Sequence, residues 1–289
     1  MNIGFVGLGL MGAPMANRIL GGGHKLFVYN RSKEKAMTFM ERGAVWCDSP
    51  SDLASQSDLV ISMVSTPDVL AGIALGPNGI LQGMTKDSVH ADCSTVSPAL
   101  TSRLEKEYRA RHRYFLHSPV LGSVPNATDG TLLLFIGGDA QAFSKGEPVF
   151  RLFGSKIWRF ERAEQATHTK LLCNFFISSM ISTLAQGLAY AEKTNIDPRT
   201  FLEILGNSAL NAPTYQSKGA SMVAGNFAPR FFLEHMFKDI NIVLDSARES
   251  GASLPGAEMA RTLYASALEA GLAKEDYSAV IKVLRDHNL

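Results

Sequence analysis

Three groups of residues have the types and spacing to do chemistry. Gly7-Leu8-Gly9-Leu10-Met11-Gly12 follows the apolar run Ile3-Gly4-Phe5-Val6 and opens an amphipathic stretch. That strand, turn and helix context is where G-x-G-x-x-G reads as a dinucleotide cradle. Gly7 makes the tight turn, Gly9 lets the backbone approach a pyrophosphate, and Gly12 allows close packing of helix on strand. The pyrophosphate then meets the unpaired N–H groups of the helix N-terminus, where Pro14 costs little. Glycines serving only a turn are the competing reading. Asn30-Arg31-Ser32, followed by Lys33 and Lys35, ends the second apolar run. An Asp or Glu there would hydrogen-bond the ribose 2′-hydroxyl of NAD, whereas a guanidinium, a hydroxyl and an ammonium suit a 2′-phosphate. The cofactor expected is therefore NADP (NADPH); solvated charges at a helix start are the alternative, and use of both cofactors stays open. Lys170 and Asn174, at i and i+4, share one face of a helix. Lys170 precedes Leu171-Leu172-Cys173, and burial there would disfavour its charged form, moving it toward proton exchange near neutrality. A lone helical lysine more often snorkels to solvent, so spacing alone leaves both readings open.

These residues need elements to hold them. A chain of 289 residues suits two domains. Up to about residue 160, short apolar runs alternate with amphipathic stretches, the signature of βαβ units and a parallel sheet. Strands are predicted at 2–6, 25–29, 59–64, 88–92, 114–117, 132–137 and 156–160, with helices at 11–20, 33–41, 98–111 and 140–152. Residues 163–194 then hold no proline and only one glycine, Gly187. That is about 45 Å of helix, enough to leave one domain and form the spine of another. Asp197-Pro198 supplies an N-cap and a first helical residue for the next helix, and further helices are predicted at 232–250, 256–270 and 276–285. The expected fold is α/β: an N-terminal Rossmann-type doubly wound NADP-binding domain, 1–161, joined by the long helix to an all-α C-terminal substrate and dimerisation domain, 162–289.

Composition excludes several classes. Twenty-eight Lys plus Arg against 27 Asp plus Glu leave a charge of +1, too little field to gather nucleic acid or an anionic membrane. Cys47, Cys93 and Cys173 are odd in number and lack C-x-x-C or metal-ligand spacing, so neither a disulfide framework nor a metal site is expected, and a cytoplasmic location fits. The start, Met1 to Gly7, shows no signal-peptide pattern. The apolar stretch 174–191 carries Asn174, Gln186 and four Ser or Thr, which suits a core helix better than a membrane span.

Read together, the segments make the sequence resemble the β-hydroxyacid dehydrogenase family, which includes 3-hydroxyisobutyrate dehydrogenase, tartronate semialdehyde reductase and the glyoxylate/succinic semialdehyde reductases. Residues 3–31 are similar to its glycine-rich opening, including Met15-Ala16 and Gly23-His24. Asp92-Cys93-Ser94-Thr95-Val96-Ser97-Pro98 is similar to its D-x-S-T-x-x-P segment. Lys170 falls at the catalytic lysine of K-x-x-N-N, Asn174 at the second asparagine, and Lys238-Asp239-Ile240 at K-D-L. The resemblance implies hydride exchange between NADP(H) and a small carbonyl or hydroxy acid, with Lys170 protonating the developing alkoxide or, in reverse, taking the hydroxyl proton. It implies that Asn174 orients that lysine or bonds the substrate oxygen. Ser94 and Thr95 then lie beside substrate and nicotinamide, Met63 joins the cofactor contacts, Lys238 closes over the cofactor, and the chain forms a homodimer or homotetramer.

One segment departs from the pattern. The family's P-V-S-G-G, which holds a substrate carboxylate, reads Pro119-Val120-Leu121-Gly122-Ser123. Leu121 cannot donate a hydrogen bond, although Gly122 and Ser123 offer backbone donors and Ser123 a hydroxyl. Glu164 and Ala166 stand where glycines are usual, and Cys173 replaces the first asparagine. Two other readings stay open: an NADPH-dependent imine reductase, a family that typically carries another residue in place of Lys170, and a catalytically silent NADP-binding module. His117 and His168 read as ordinary satisfied histidines in preference to substrate contacts.

Overall fold

The first strand already dictates a layered domain. In β1 (Asn2–Val6), Ile3 and Phe5 enter one core while Gly4 and Val6 face the other, where Leu53 fills the space a Gly4 side chain would take. A strand buried on both faces needs helices on both sides of its sheet. The computed structural model describes residues 1–285 and supplies them. On one flank of β1 lie β2 (Lys25–Tyr29) and β3 (Val45–Trp46); on the other lie β4 (Leu59–Ser62), β5 (Val89–Asp92) and β6 (Tyr114–His117), all parallel. The connecting helices are α1 (Gly12–Gly21), α2 (Met37–Met40, entered through a 3-10 turn at Lys33–Ala36), α3 (Pro50–Ser55), α4 (Pro67–Leu75), α5 (Ile80–Gly83) and α6 (Pro98–Ala110). The chain winds outward from β1 to β3, then restarts beside β1 at β4. Ligands of doubly wound sheets bind outside the carboxyl ends of the strands at this reversal.

Register aligns those ends. Tyr29, Val6, Ser62, Asp92 and His117 form one row across β2, β1, β4, β5 and β6. Beyond β6 the structure departs from the expected parallel sheet. After β7 (Val120–Leu121) and the short α7 (Val124–Asp129), the chain returns as β8 (Leu132–Gly138), antiparallel to both β6 and β7. Parallel pairing needs a crossover that packs across the sheet, and the six-residue α7 is too short to be one, so the strand doubles back. Then α8 (Ala140–Phe150) leads to β9 (Gly154–Phe160), parallel to β8. The sequence reading had no place for α3, α4, α5, α7 or the two-residue strands. These are short elements, though α4 carries a legible start, with Thr66 accepting from the Val69 N–H ahead of Pro67.

The chain divides into two compact units, Met1–Lys170 and Leu171–Leu289, at a point inside the long helix α9 (Ala163–Lys193). By length and composition α9 could cross a membrane, but 44% of its most apolar window is buried within the protein and Asn174, Ser178 and Ser182 are among the buried residues. After Leu171 the regular elements of the described residues are helices: α10 (Pro198–Gly206), α11 (Pro213–Ala224, absent from the sequence reading), α12 (Leu233–Ser250), α13 (Pro255–Glu269), a 3-10 turn at Tyr277–Val280 and α14 (Ile281–Arg285). Asp197 caps α10 by accepting from the Arg199 N–H at 2.9 Å. Their apolar faces enclose a core that includes Ile181, Leu188, Met222, Ile240 and Tyr264.

Candidate active site

The cradle behind β1 is built from absences of side chain. Gly7 has φ +100°, and a Cβ there would strike the Met63 carbonyl oxygen; a Cβ on Gly12 would strike the carbonyl oxygen of Gly7. These two glycines are thus fixed by the protein's own packing. Gly9 differs, because no protein atom lies within 4 Å of where its Cβ would stand. The loop enters α1 with Met11 as an N-cap that forms no side-chain cap, so the helix start is open to an anion. Leu8 donates its N–H to Asn30 Oδ1 at 3.0 Å, and Asn30 Nδ2 donates to the Ser32 carbonyl at 2.9 Å. Asn30 therefore joins the ends of β1 and β2 into one rim. Beyond it Arg31 and Lys35 are exposed, the Ser32 hydroxyl caps nothing, and Lys33 lies 5.2 Å from the Trp46 ring centroid. An open glycine beside an uncapped helix start and a cationic rim fits a nicotinamide dinucleotide. Gly9, Leu10, Met11, Arg31, Ser32 and Lys35 would hold it, with Met63 at the edge of β4.

At the ends of β4, β5 and β6 the row of Ser62, Asp92 and His117 becomes a buried polar network. Asp92 Oδ1 accepts from the Ser62 hydroxyl at 2.6 Å and the Ser94 hydroxyl at 2.8 Å, and Oδ2 accepts from the Ser94 N–H at 3.2 Å. Ser94 Oγ also accepts the Val64 N–H at 2.9 Å. Ser94 is fully buried with its hydroxyl engaged on both sides, while the next residue, Thr95, is half-buried. His90, two residues before Asp92 and on the same face of β5, lies 2.8 Å from Ser62 Oγ and 2.7 Å from the Tyr108 hydroxyl. Burial, reinforced by the nearby His117, pushes its pKa down to about 3. Burial also takes His117 down to about 4, although its bond to the Ser94 carbonyl works the other way. Both imidazoles are neutral near pH 7. His117 is a satisfied, buried histidine, and His168 lies exposed on α9.

Lys170 lies on α9 in the same unit and is only 9% exposed. In the second unit, Asn174 is 3% exposed and donates from Nδ2 to Asp239 Oδ2 at 2.8 Å, while Lys238 Nζ lies 2.8 Å from Asp239 Oδ1. A carboxylate only accepts, so Asp239 fixes the amide with its nitrogen toward the carboxylate and leaves Oδ1 as the acceptor of Asn174.

The loop after β7 is arranged differently from the cradle. Gly122 has φ +141° and Leu121 is half-buried. Ser123 caps α7: its N–H donates to Asn126 Oδ1 at 3.0 Å, and its hydroxyl lies 3.4 Å from the same oxygen. Asn126 Nδ2 in turn reaches Thr131 Oγ1 at 3.2 Å. Both Ser123 donors that sequence reasoning offered to a substrate carboxylate are engaged inside the loop.

Two family models match the chain. One, described as the NAD binding domain of 6-phosphogluconate dehydrogenase, matches residues 2–161; the other, described as NAD-binding of NADP-dependent 3-hydroxyisobutyrate dehydrogenase, matches residues 165–284. Glyoxylate/succinic semialdehyde reductase 2, chloroplastic, of Arabidopsis thaliana is 33% identical over 99% of this chain and 80% of its own length. The chain belongs to the β-hydroxyacid dehydrogenase family. As a member of that family it is a nicotinamide-dependent oxidoreductase of the hydroxyacid dehydrogenase and reductase type. A 3-hydroxyisobutyrate dehydrogenase from Salmonella typhimurium shares the fold with a TM-score of 0.90 at 24% identity, covering 98% of this chain and 99% of that one. An imine reductase from Myxococcus stipitatus in complex with NADP+ shares it more loosely, with a TM-score of 0.66 at 19% identity, covering 98% and 100% of the two chains.

Sequence reasoning named the glycines, the cationic rim, Lys170 and Asn174 as candidates. It did not assign a part to Asn126, and read Asp92 and Asp239 only as parts of segments. Asn126 had a signal, since Ser-x-x-Asn has the spacing of a capping box. The pairing of Asn174 with Asp239 had none, because the two are distant in sequence.

Proposed function

We propose that the chain is an NADPH-dependent reductase of small carbonyl compounds related to hydroxy acids, working reversibly, with Lys170 as general acid and base. One observation carries the reading: Lys170 is the one buried lysine among the described residues, on a helix whose next turn presents an oriented Asn174. The bound cofactor supplies or receives the hydride. Lys170 gives its proton to the carbonyl oxygen as negative charge develops there, and in reverse takes it from the hydroxyl. Asn174 Oδ1 accepts from an ammonium or hydroxyl group. Arg31, Ser32 and Lys35 support selection of the 2′-phosphate; Glu34 shares their turn, but the cations outnumber it.

Leu121 and the self-capped Ser123 support a substrate that meets this loop with an apolar group and carries any carboxylate elsewhere. Leu172, Phe176 and Tyr190, at 56%, 62% and 71% exposure on α9, support a homodimer or homotetramer.

The test is an NADPH-oxidation screen over glyoxylate, succinic semialdehyde, tartronate semialdehyde, aldehydes without a carboxylate and cyclic imines, run with wild type, Lys170→Ala and Arg31→Ala. Lys170→Ala should bind NADPH normally and lose about 10² to 10⁴ in turnover. Arg31→Ala should shift the NADPH to NADH preference by roughly tenfold to a hundredfold. Wild-type turnover in Lys170→Ala defeats the acid and base role, an unmoved preference defeats the NADP assignment, and turnover confined to imines replaces the substrate class.

A further inference from the structure

We propose that His117 is a positioning residue: through Ser94 on one side and Thr167 on the other, it sets the α9 turn that carries Lys170 against the Ser94–Thr95 turn at the end of β5. The proposal rests on the reading of Lys170 as acid and base. His117 Nε2 lies 3.1 Å from the Ser94 carbonyl oxygen and 3.5 Å from Asp92 Oδ2. A carbonyl oxygen only accepts, so Nε2 carries the proton. In the neutral ring Nδ1 is then bare, and the Thr167 hydroxyl, 2.8 Å away, is the donor that reaches it, with the Ala163 carbonyl oxygen at 3.1 Å as the other acceptor for the same proton. Thr167 Oγ1 in turn faces Thr101 Oγ1 at 3.0 Å. The result is a buried path from Thr167 through His117 to the Ser94 carbonyl, with Thr101, whose hydroxyl also reaches the Pro98 carbonyl oxygen at 3.0 Å, beside it.

Each end of that path touches the proposed chemistry without joining it. Thr167 stands three residues before Lys170, on a neighbouring strip of the same helix. Ser94 immediately precedes Thr95, and its own side chain is already fixed by Asp92 and Val64. Helix side chains reach roughly 5 to 6 Å from the axis, so a rotation of α9 by about 10° would swing the start of the Lys170 side chain by roughly 1 Å. A misplacement of about 1 Å is worth on the order of a hundredfold in rate. A side-chain bond on the Thr167 turn resists that rotation, whereas backbone bonds within the helix do not.

The experiment measures single-turnover NADPH oxidation with succinic semialdehyde, and with glyoxylate as a second probe, so that product release cannot mask the chemical step. His117→Leu and Thr167→Val should each lower the rate by about ten- to a hundredfold while NADPH affinity and substrate KM stay within about twofold. The double variant should be no slower than the worse single, because both cut one path. His117→Gln should restore most of the rate, since its amide can donate to Ser94 and accept from Thr167. If His117→Leu fails to fold, Thr167→Val and His117→Gln carry the test. Unchanged rates in Thr167→Val, additive losses in the double variant, or losses that follow only the folded fraction would overturn the proposal. Lys170→Ala in the same assay separates the readings: if it retains turnover, the acid and base role itself fails, whereas if it is inactive while Thr167→Val is normal, only the positioning role does.

Discussion

Two glycine-containing loops leave strands of the same sheet and enter helices, and they treat their donors in opposite ways. Ahead of α1, Gly9 faces open space and Met11 provides no side-chain cap, so polar backbone is presented outward. Ahead of α7, Gly122 adopts φ +141° and the Ser123 N–H is turned back onto Asn126. A helix start that caps itself has little left for a ligand, and one that does not is ready for an anion. The contrast assigns charge recognition to the cofactor end of the sheet and leaves Leu121 to shape the other loop by contact. It also explains why the cofactor class follows from sequence more readily than the substrate does.

The sharpest way to break this contrast is to add one methyl group at either of two glycines. Gly12→Ala would force a Cβ into the Gly7 carbonyl and should destabilise the protein by about 3 kcal/mol or more. Gly9→Ala meets no protein atom, so its Tm should match wild type while NADPH affinity falls by at least about tenfold. Thermal melts with NADPH titration decide it; a Gly9→Ala protein with wild-type affinity would mean that nothing approaches this backbone.

Acidification should act on the row beneath both loops. Burial lowers His90 to about 3 and His117 to about 4 from 6.5, so between these values the unfolded chain binds protons that the folded chain refuses. Their contribution to stability is complete above pH 6.5, falls as pH drops below it, and levels off near their folded values. From pH 7 to pH 5 the loss should be about 2 kcal/mol per histidine. Urea unfolding at the two pH values measures it, and His117→Gln should remove that histidine's share. An equal pH dependence in that variant would rule out a buried neutral imidazole at 117.

A further effect is expected at the self-capped loop. Leu121→Ser adds a donor where the structure offers an apolar branch, and should raise kcat/KM for glyoxylate relative to larger aldehydes by about fivefold to a hundredfold. Asn126→Ala, which releases the Ser123 N–H, should move the ratio in the same direction, with some loss of α7 stability. If neither variant changes the ratio, the loop does not face the substrate.

The legible parts share a physical property. A G-x-G-x-x-G after an apolar run, an Asp-Pro helix start and a long proline-free apolar helix all act within a few residues, where backbone geometry alone sets the outcome. The return of β8 was less legible, because a short connection and a crossover differ only in what packs on the sheet. The substrate loop illustrates the limit most clearly: Ser123 reads as a donor in sequence, and only the position of Asn126 turns that donor inward.

By itself the sequence determined the doubly wound half, the helical half, the cofactor cradle and a lysine and asparagine on one helix face, because each is set by local spacing. Tertiary structure decided which polar groups answer one another. Ser62, Asp92 and His117 come from three strands and meet only through parallel register, and Thr167 reaches His117 only because α9 begins beside those strand ends. No periodicity encodes such pairings, since buried polar groups must find partners across the fold, wherever in the chain those partners lie.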